Sequence, residues 1–191
     1  MADFIRRKGI IAWVFCLIIG ALGCHSTEEQ TDVDIVPRPL SIEKGAGHFV
    51  FKPETVISIP GNEYQKIAET FVSLFTHSAG FTPQIRVGQE GDICLVVDQS
   101  LKEEAYEMQV QSKKIILKAA GAKGFFYAFQ NLRLMLPSSI ESVNLHPEKK
   151  WRVPVVTIKD EPRFEYRGFM LDVARYFMPK DELLKMIDCM A

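Results

Sequence analysis

The chain has 191 residues, enough for one complete hydrophobic core and at most part of a second, since domains run to roughly 100–200 residues. Its 47% hydrophobic and 25% charged content is that of a globular protein, and 23 Lys and Arg against 24 Asp and Glu leave a net charge of −1. A balance this even excludes the basic footprint of a nucleic-acid binder.

At the N-terminus, Arg6, Arg7 and Lys8 precede an apolar stretch from Gly9 to Leu22 that ends in Gly23-Cys24. This is the build of a secretory signal, shorter than the roughly 20 apolar residues of a spanning helix. The segment Gly20-Ala21-Leu22-Gly23-Cys24 resembles the lipobox of bacterial lipoproteins, with Ala21 where a larger aliphatic is usual. The resemblance implies that residues 1–23 are a lipoprotein signal peptide and that Cys24 is lipidated as the mature N-terminus. It also implies an exported bacterial membrane lipoprotein, facing the periplasm or the cell surface, whose membrane partner is reached through Cys24. An ordinary cleaved signal and an uncleaved anchor are the alternatives. Several acyl chains, at roughly 0.8 kcal/mol per buried methylene, would hold such a domain on a bilayer. Residues 24–35, polar from His25 onward, read as a tether. Removing Arg6, Arg7 and Lys8 with Asp3 leaves a modestly acidic mature chain.

Of the other cysteines, Cys16 lies in the signal, Cys94 inside the apolar run Ile93–Val97 and Cys189 on the last helix. They read as two unrelated buried thiols outside the signal rather than a disulfide. His25, His48, His77 and His146 stand apart from one another and from any cysteine pair, so no metal-ligand spacing exists and they are expected on the surface or in loops. Neither a metal nor a cofactor is expected.

Val36-Pro37-Arg38-Pro39 opens the folded part as extended chain. Phe49–Phe51 and Val56–Ile59 read as strands around the turn Lys52-Pro53-Glu54. After Pro60-Gly61-Asn62, the residues Tyr64, Ile67, Ala68, Phe71, Val72 and Phe75 recur at helical spacing, and Ala79-Gly80 ends that helix. Ile93–Val97 is a buried strand; Tyr106, Met108 and Val110 alternate as a half-buried one, joined through Ser112-Lys113-Lys114 to Ile115–Leu117 in a hairpin. Phe125, Phe126, Phe129, Leu132, Met135 and Leu136 define a second helix between Gly121 and Pro137.

The expectation over residues 36–136 is therefore a small α/β sandwich, two helices on an antiparallel-rich sheet of about five strands. The polar loop Pro137–Lys150 and the strand Val153–Ile158 extend this domain to residue 159 and lead out of it. Beyond Asp160-Glu161-Pro162, Gly168–Val173 reads as an apolar strand, and Leu183, Leu184, Ile187 and Met190 line one face of a helix opened by Pro179. Such a pair cannot bury both its faces alone, and Ala191 follows no capping signal. Residues 160–191 thus look like the first unit of an incomplete layer, within an overall α+β chain.

Three segments carry a family resemblance: Val36-Pro37-Arg38-Pro39, the run Gly121-Ala122-Lys123-Gly124-Phe125-Phe126-Tyr127-Ala128-Phe129-Gln130-Asn131-Leu132, and Ile158-Lys159-Asp160-Glu161-Pro162-Arg163-Phe164 through Arg175. Together they resemble the N-terminal part of the family 20 glycoside hydrolases, the β-N-acetylhexosaminidases. The resemblance implies a non-catalytic α/β domain at 36–159 and, at 160–191, the truncated start of a (β/α)8 TIM barrel, whose active site lies at the C-terminal ends of its strands.

It further implies that Arg175, just past Gly168–Val173, binds the hydroxyls of the terminal sugar. A guanidinium, always charged and carrying several fixed donors, suits vicinal hydroxyls. Read from the residues alone, Arg175 better suits a salt bridge with Asp172 or a surface carboxylate, and the resemblance reverses that preference. Arg167, at the strand's start, and Asp172, which would orient neighbouring strands or Arg175, read as structural. Tyr176 stands where a histidine is more usual beside the substrate arginine.

By resemblance the complete enzyme is retaining and substrate-assisted: the 2-acetamido oxygen attacks the anomeric carbon, an Asp orients it and the adjacent Glu is general acid and base. Its partners would be terminal β-linked GlcNAc or GalNAc glycans. No residue here corresponds to that Asp-Glu pair. Asp160-Glu161 precedes the barrel, Asp181-Glu182 suits the positive end of a helix, and Glu103-Glu104 reads as a solvated turn. The expectation is an N-terminal fragment, inactive by itself. The alternative is a non-catalytic, lipid-anchored module for glycan binding or assembly.

Overall fold

The computed structural model describes residues 33, 35–88 and 90–190. The signal peptide and Cys24, and the tether apart from Val33 and Ile35, lie outside these residues. Among those described, seven strands form one sheet: β1 (Ser41–Val50), β2 (Val56–Ile59), β3 (Gln84–Val87), β4 (Ile93–Val97), β5 (Tyr106–Val110), β6 (Ile115–Ala119) and β7 (Arg152–Asp160). They lie in the order β1-β7-β5-β6-β4-β2-β3. Three α-helices accompany them, α1 (Gln65–Ser78), α2 (Ala122–Met135) and α3 (Lys180–Met190).

Alternation sets the layers. On β4 and β6, Ile93, Leu95, Ile115, Leu117 and Ala119 point one way and are buried, with register partners Ile93 to Ile115 and Leu95 to Leu117. Met108 of β5 lies between Leu117 of β6 and Ile158 of β7, so the same buried row crosses three strands. Onto it α1 brings Ala68, Phe71, Val72 and Phe75, and α2 brings Phe125, Ala128, Phe129 and Leu132. The two helices meet where Phe71 stacks on Phe129, ring centroids 4.7 Å apart. The opposite face of the sheet carries Glu107 and Lys159, paired at 2.7 Å, and the exposed Val96.

Two glycines are required by geometry. Gly80, at φ +72°, follows the C-cap Ala79 of α1 and takes the left-handed conformation that stops the helix. Gly124 lets α2 lie against the sheet, because a Cβ there would stand 2.4 Å from the Ala105 carbonyl oxygen and 2.8 Å from the Ala119 Cβ. Both obstacles are rigid. Gly124→Ala is expected to cost about 2–3 kcal/mol of stability, measured by urea denaturation, as overpacking does where neighbours cannot yield.

The sheet departs from expectation in two ways. It is evenly mixed rather than antiparallel-rich: β2–β3, β2–β4 and β4–β6 are parallel, and β1–β7, β5–β6 and β5–β7 antiparallel. It also has seven strands. Gln84–Val87 is a short, largely exposed edge strand with no apolar run to announce it, and β7 does not simply lead out but inserts between β1 and β5. Within the polar loop after α2, a 3-10 turn at Ser138–Glu141 buries Ile140.

The predicted strand Gly168–Val173 is absent; the segment is irregular, with Phe169, Met170 and Val173 exposed. A barrel strand is held by ladders to neighbours on both sides, and no described segment pairs with this one. The helix after Pro179 is present, but its apolar residues Leu184, Ile187 and Met190 are exposed. Cys189 is therefore exposed rather than buried, whereas Cys94 is buried; neither forms a disulfide. His48 lies on strand β1, half-buried, rather than in a loop. His77 lies in the last turn of α1 and His146 in the loop before β7.

Candidate functional site at the exit of the sheet

The end of β7 carries the chain from the α/β domain into residues 161–177. Asp160, the last residue of β7, accepts a hydrogen bond from the Leu40 amide through Oδ1 at 3.1 Å. Partial burial raises the Asp160 carboxyl above the ordinary range, against the opposing pull of the Leu40 and Glu161 amides. Beneath it Tyr106 is buried, its hydroxyl bonded to the Asn131 side-chain amide of α2; burial raises its pKa, with the Asp160 charge adding to the effect.

Three consecutive residues of the turn before β5 pair across this exit. Lys102 binds Glu161 at 2.7 Å, Glu103 binds Lys123 of α2 at 2.9 Å, and Glu104 binds Arg167 at 2.8 Å. Glu103-Glu104 is thus a turn as expected, yet Glu104 is largely covered rather than solvated. Arg167 also donates to the Tyr127 hydroxyl of α2 at 2.8 Å and to the Phe164 carbonyl at 2.5 Å. The Glu104 carboxylate and the Tyr127 hydroxyl hold its guanidinium more firmly protonated than usual.

Arg175, the predicted sugar contact, lies in the turn after Leu171, its side chain 86% exposed. Its Nε is 3.5 Å from Oδ2 of Asp172, while the other Asp172 oxygen accepts the Ala174 amide at 2.9 Å. Asp172 therefore both bonds the backbone of the turn and pairs with Arg175. Tyr176 is beside them and 86% exposed. Asp181 and Glu182 occupy the first turn of α3, where Glu182 binds Lys185 at 2.8 Å. Arg175, Asp172 and Tyr176 form one exposed group, and Arg167 belongs to another, against the α/β domain. The residues that sequence reasoning missed are Glu104 and Tyr127, which lie 63 and 40 positions from Arg167 and carry no local signal of it.

Comparison with known proteins places this arrangement. The model of glycosyl hydrolase family 20, domain 2, matches residues 32–161, and that of the family 20 catalytic domain matches residues 164–191. A β-hexosaminidase of Porphyromonas gingivalis is 33% identical over 190 residues, 92% of this chain and 24% of that protein. One of Vibrio furnissii is 32% identical over 85% of this chain and 25% of its own length. Among solved structures, the Streptomyces plicatus N-acetyl-β-hexosaminidase superimposes with a TM-score of 0.74 at 27% identity, over 84% of this chain and 32% of that one. The chain spans about a quarter of the length of these curated relatives. With residues 32–161 matched by one domain model of the family and residues 164–191 by another, this chain belongs to glycosyl hydrolase family 20.

Proposed function

We propose that the chain is the N-terminal portion of an exported, lipid-anchored exo-β-N-acetylhexosaminidase that removes terminal β-linked GlcNAc or GalNAc by the retaining, substrate-assisted route. The observation that carries this is the join at residues 161–164, where the stretch matched by the family's domain 2 passes into the stretch matched by its catalytic domain. Arg175 is the residue of this chain that contacts the sugar. An exposed guanidinium in a turn, steered by Asp172, can present two or more donors to vicinal hydroxyls. The acetamido-orienting Asp and the general acid Glu are supplied by a continuation of the reading frame, since Asp160, Glu161, Asp181 and Glu182 are all committed to local structural contacts or a helix start. Export and attachment through Cys24 follow from the lipobox-like Gly20–Cys24 segment.

A chromogenic N-acetylglucosaminide tests the reading. The 191-residue chain is expected to show no turnover, and the protein expressed from the continued frame to be active. Clear turnover by the 191-residue chain would overturn it, and a stop codon after residue 191 would leave the non-catalytic module instead. Labelling with a radioactive fatty acid, abolished by Cys24→Ala, checks the anchor.

A further inference from the structure

Arg167 donates to acceptors on three residues at once. Nη2 donates to both Glu104 Oε2 and the Tyr127 hydroxyl at 2.8 Å, and Nη1 donates to the Phe164 carbonyl at 2.5 Å. The guanidinium carbon lies 5.7 Å from the centre of the Tyr127 ring. The acceptors come from three places: the turn before β5, the second turn of α2 and the exit segment itself. That turn is itself fastened on either side, by Glu103 to Lys123 of α2 and by Lys102 to Glu161. Isolated exposed ion pairs contribute little, but a planar fork shared among a carboxylate, a phenol and a carbonyl has one orientation that satisfies all of them.

We propose that Arg167 is a positioning residue: the turn Lys102–Glu104 and Tyr127 clamp it, and so set the course on which residues 168–175 leave the α/β domain and present Arg175. The hold on the segment stands on geometry alone; its effect on sugar binding rests on the reading of Arg175 given above. The α/β domain then has a defined part in the enzyme. It holds the start of the catalytic domain in direction, eight residues ahead of the sugar contact. Lysine cannot replace Arg167 in this role, since a single ammonium lacks the fork that spans the three acceptors.

Two experiments test the clamp. In the 191-residue chain, backbone order parameters at Glu165–Gly168 are expected near about 0.85 and to fall below about 0.6 in Arg167→Ala and in Glu104→Gln. Amide shifts of the sheet should stay unchanged, showing that the domain remains folded. Arg167→Lys should recover little of that order, since one ammonium cannot span the three acceptors. Wild-type order in Arg167→Ala or in Arg167→Lys overturns the clamp. In the longer enzyme, Arg167→Ala should lower kcat/KM roughly ten-fold, the scale of one lost charged hydrogen bond, and the loss should disappear when Arg175 is already alanine. Additive losses would overturn positioning through Arg175 and leave Arg167 a fastening only. If Arg175→Ala itself has no effect, the sugar-contact reading fails, while the order parameters still decide the clamp.

Discussion

Phe75→Ala is expected to destabilise the chain by about 4 kcal/mol, the upper part of the range for removing a buried aromatic ring. Phe75 has no exposed surface, and its ring lies 4.9 Å from Phe51, 5.7 Å from Phe71 and Phe81, and 6.4 Å from Trp151. These partners follow β1, sit on α1, follow α1 and precede β7, so the ring joins four stretches of chain that meet nowhere else in sequence. The Phe51 amide donates to the Trp151 carbonyl at 2.8 Å, which ties two of those stretches together and limits collapse into the vacated space. A cavity that cannot collapse loses both transfer energy and dispersion contacts. Against a total stability of roughly 5–15 kcal/mol, such a loss leaves the domain marginal. Urea denaturation followed by far-ultraviolet circular dichroism checks it, and a cost below about 1.5 kcal/mol would mean that the cluster repacks.

Arg175→Ala, made in the longer enzyme, is expected to lower kcat/KM by about a hundred-fold, the loss of one to two charged hydrogen bonds to sugar hydroxyls. Because the side chain is 86% exposed and its ion pair is with Asp172 of the same turn, the stability of the α/β domain should not change. Arg175→Lys should recover little of the loss, since one ammonium replaces several fixed donors. Asp172→Asn should cost less than either, because the amide oxygen can still accept the Ala174 amide while the steering charge is gone. Steady-state kinetics with a chromogenic N-acetylglucosaminide measures all three. Activity within two- to three-fold of wild type in Arg175→Ala would reduce the Arg175–Asp172 pair to a surface ion pair, of the kind that contributes little.

The elements legible in the sequence are those that local interactions decide. Phe71, Val72 and Phe75 recur at helical spacing and become the buried face of α1; Phe125, Phe129 and Leu132 do the same for α2. Tyr106, Met108 and Val110 alternate, and a tight polar turn brings them against Ile115–Ala119 in the register found, with Val110 opposite Ile115. Period and turn chemistry act within a dozen residues, so a reader of the sequence has all the interacting parts in view.

Tertiary structure alone decided the rest, because those features depend on partners far along the chain. Gln84–Val87 is strand because β2 lies beside it, with Ile57 opposite Ile85, and not because of its own largely polar residues. The place of β7 between β1 and β5 answers to two ladders formed with residues about 50 and 110 positions away, a matter of topology that periodicity does not carry. Gly168–Val173 has the residues of a strand but no partner strand among the described residues, so the backbone takes no ladder there. At the candidate site, the motif through Arg175 was readable as a family signature, and the turn that Asp172 orders is local. The grip of Glu104 and Tyr127 on Arg167 was not: a carboxylate and a phenol become a binding site for a guanidinium only after β5 and α2 have packed side by side. Short-range chemistry wrote the helices, the hairpin and the family motif into the sequence, whereas contacts whose cost is the closure of long loops were settled only by the assembled sheet.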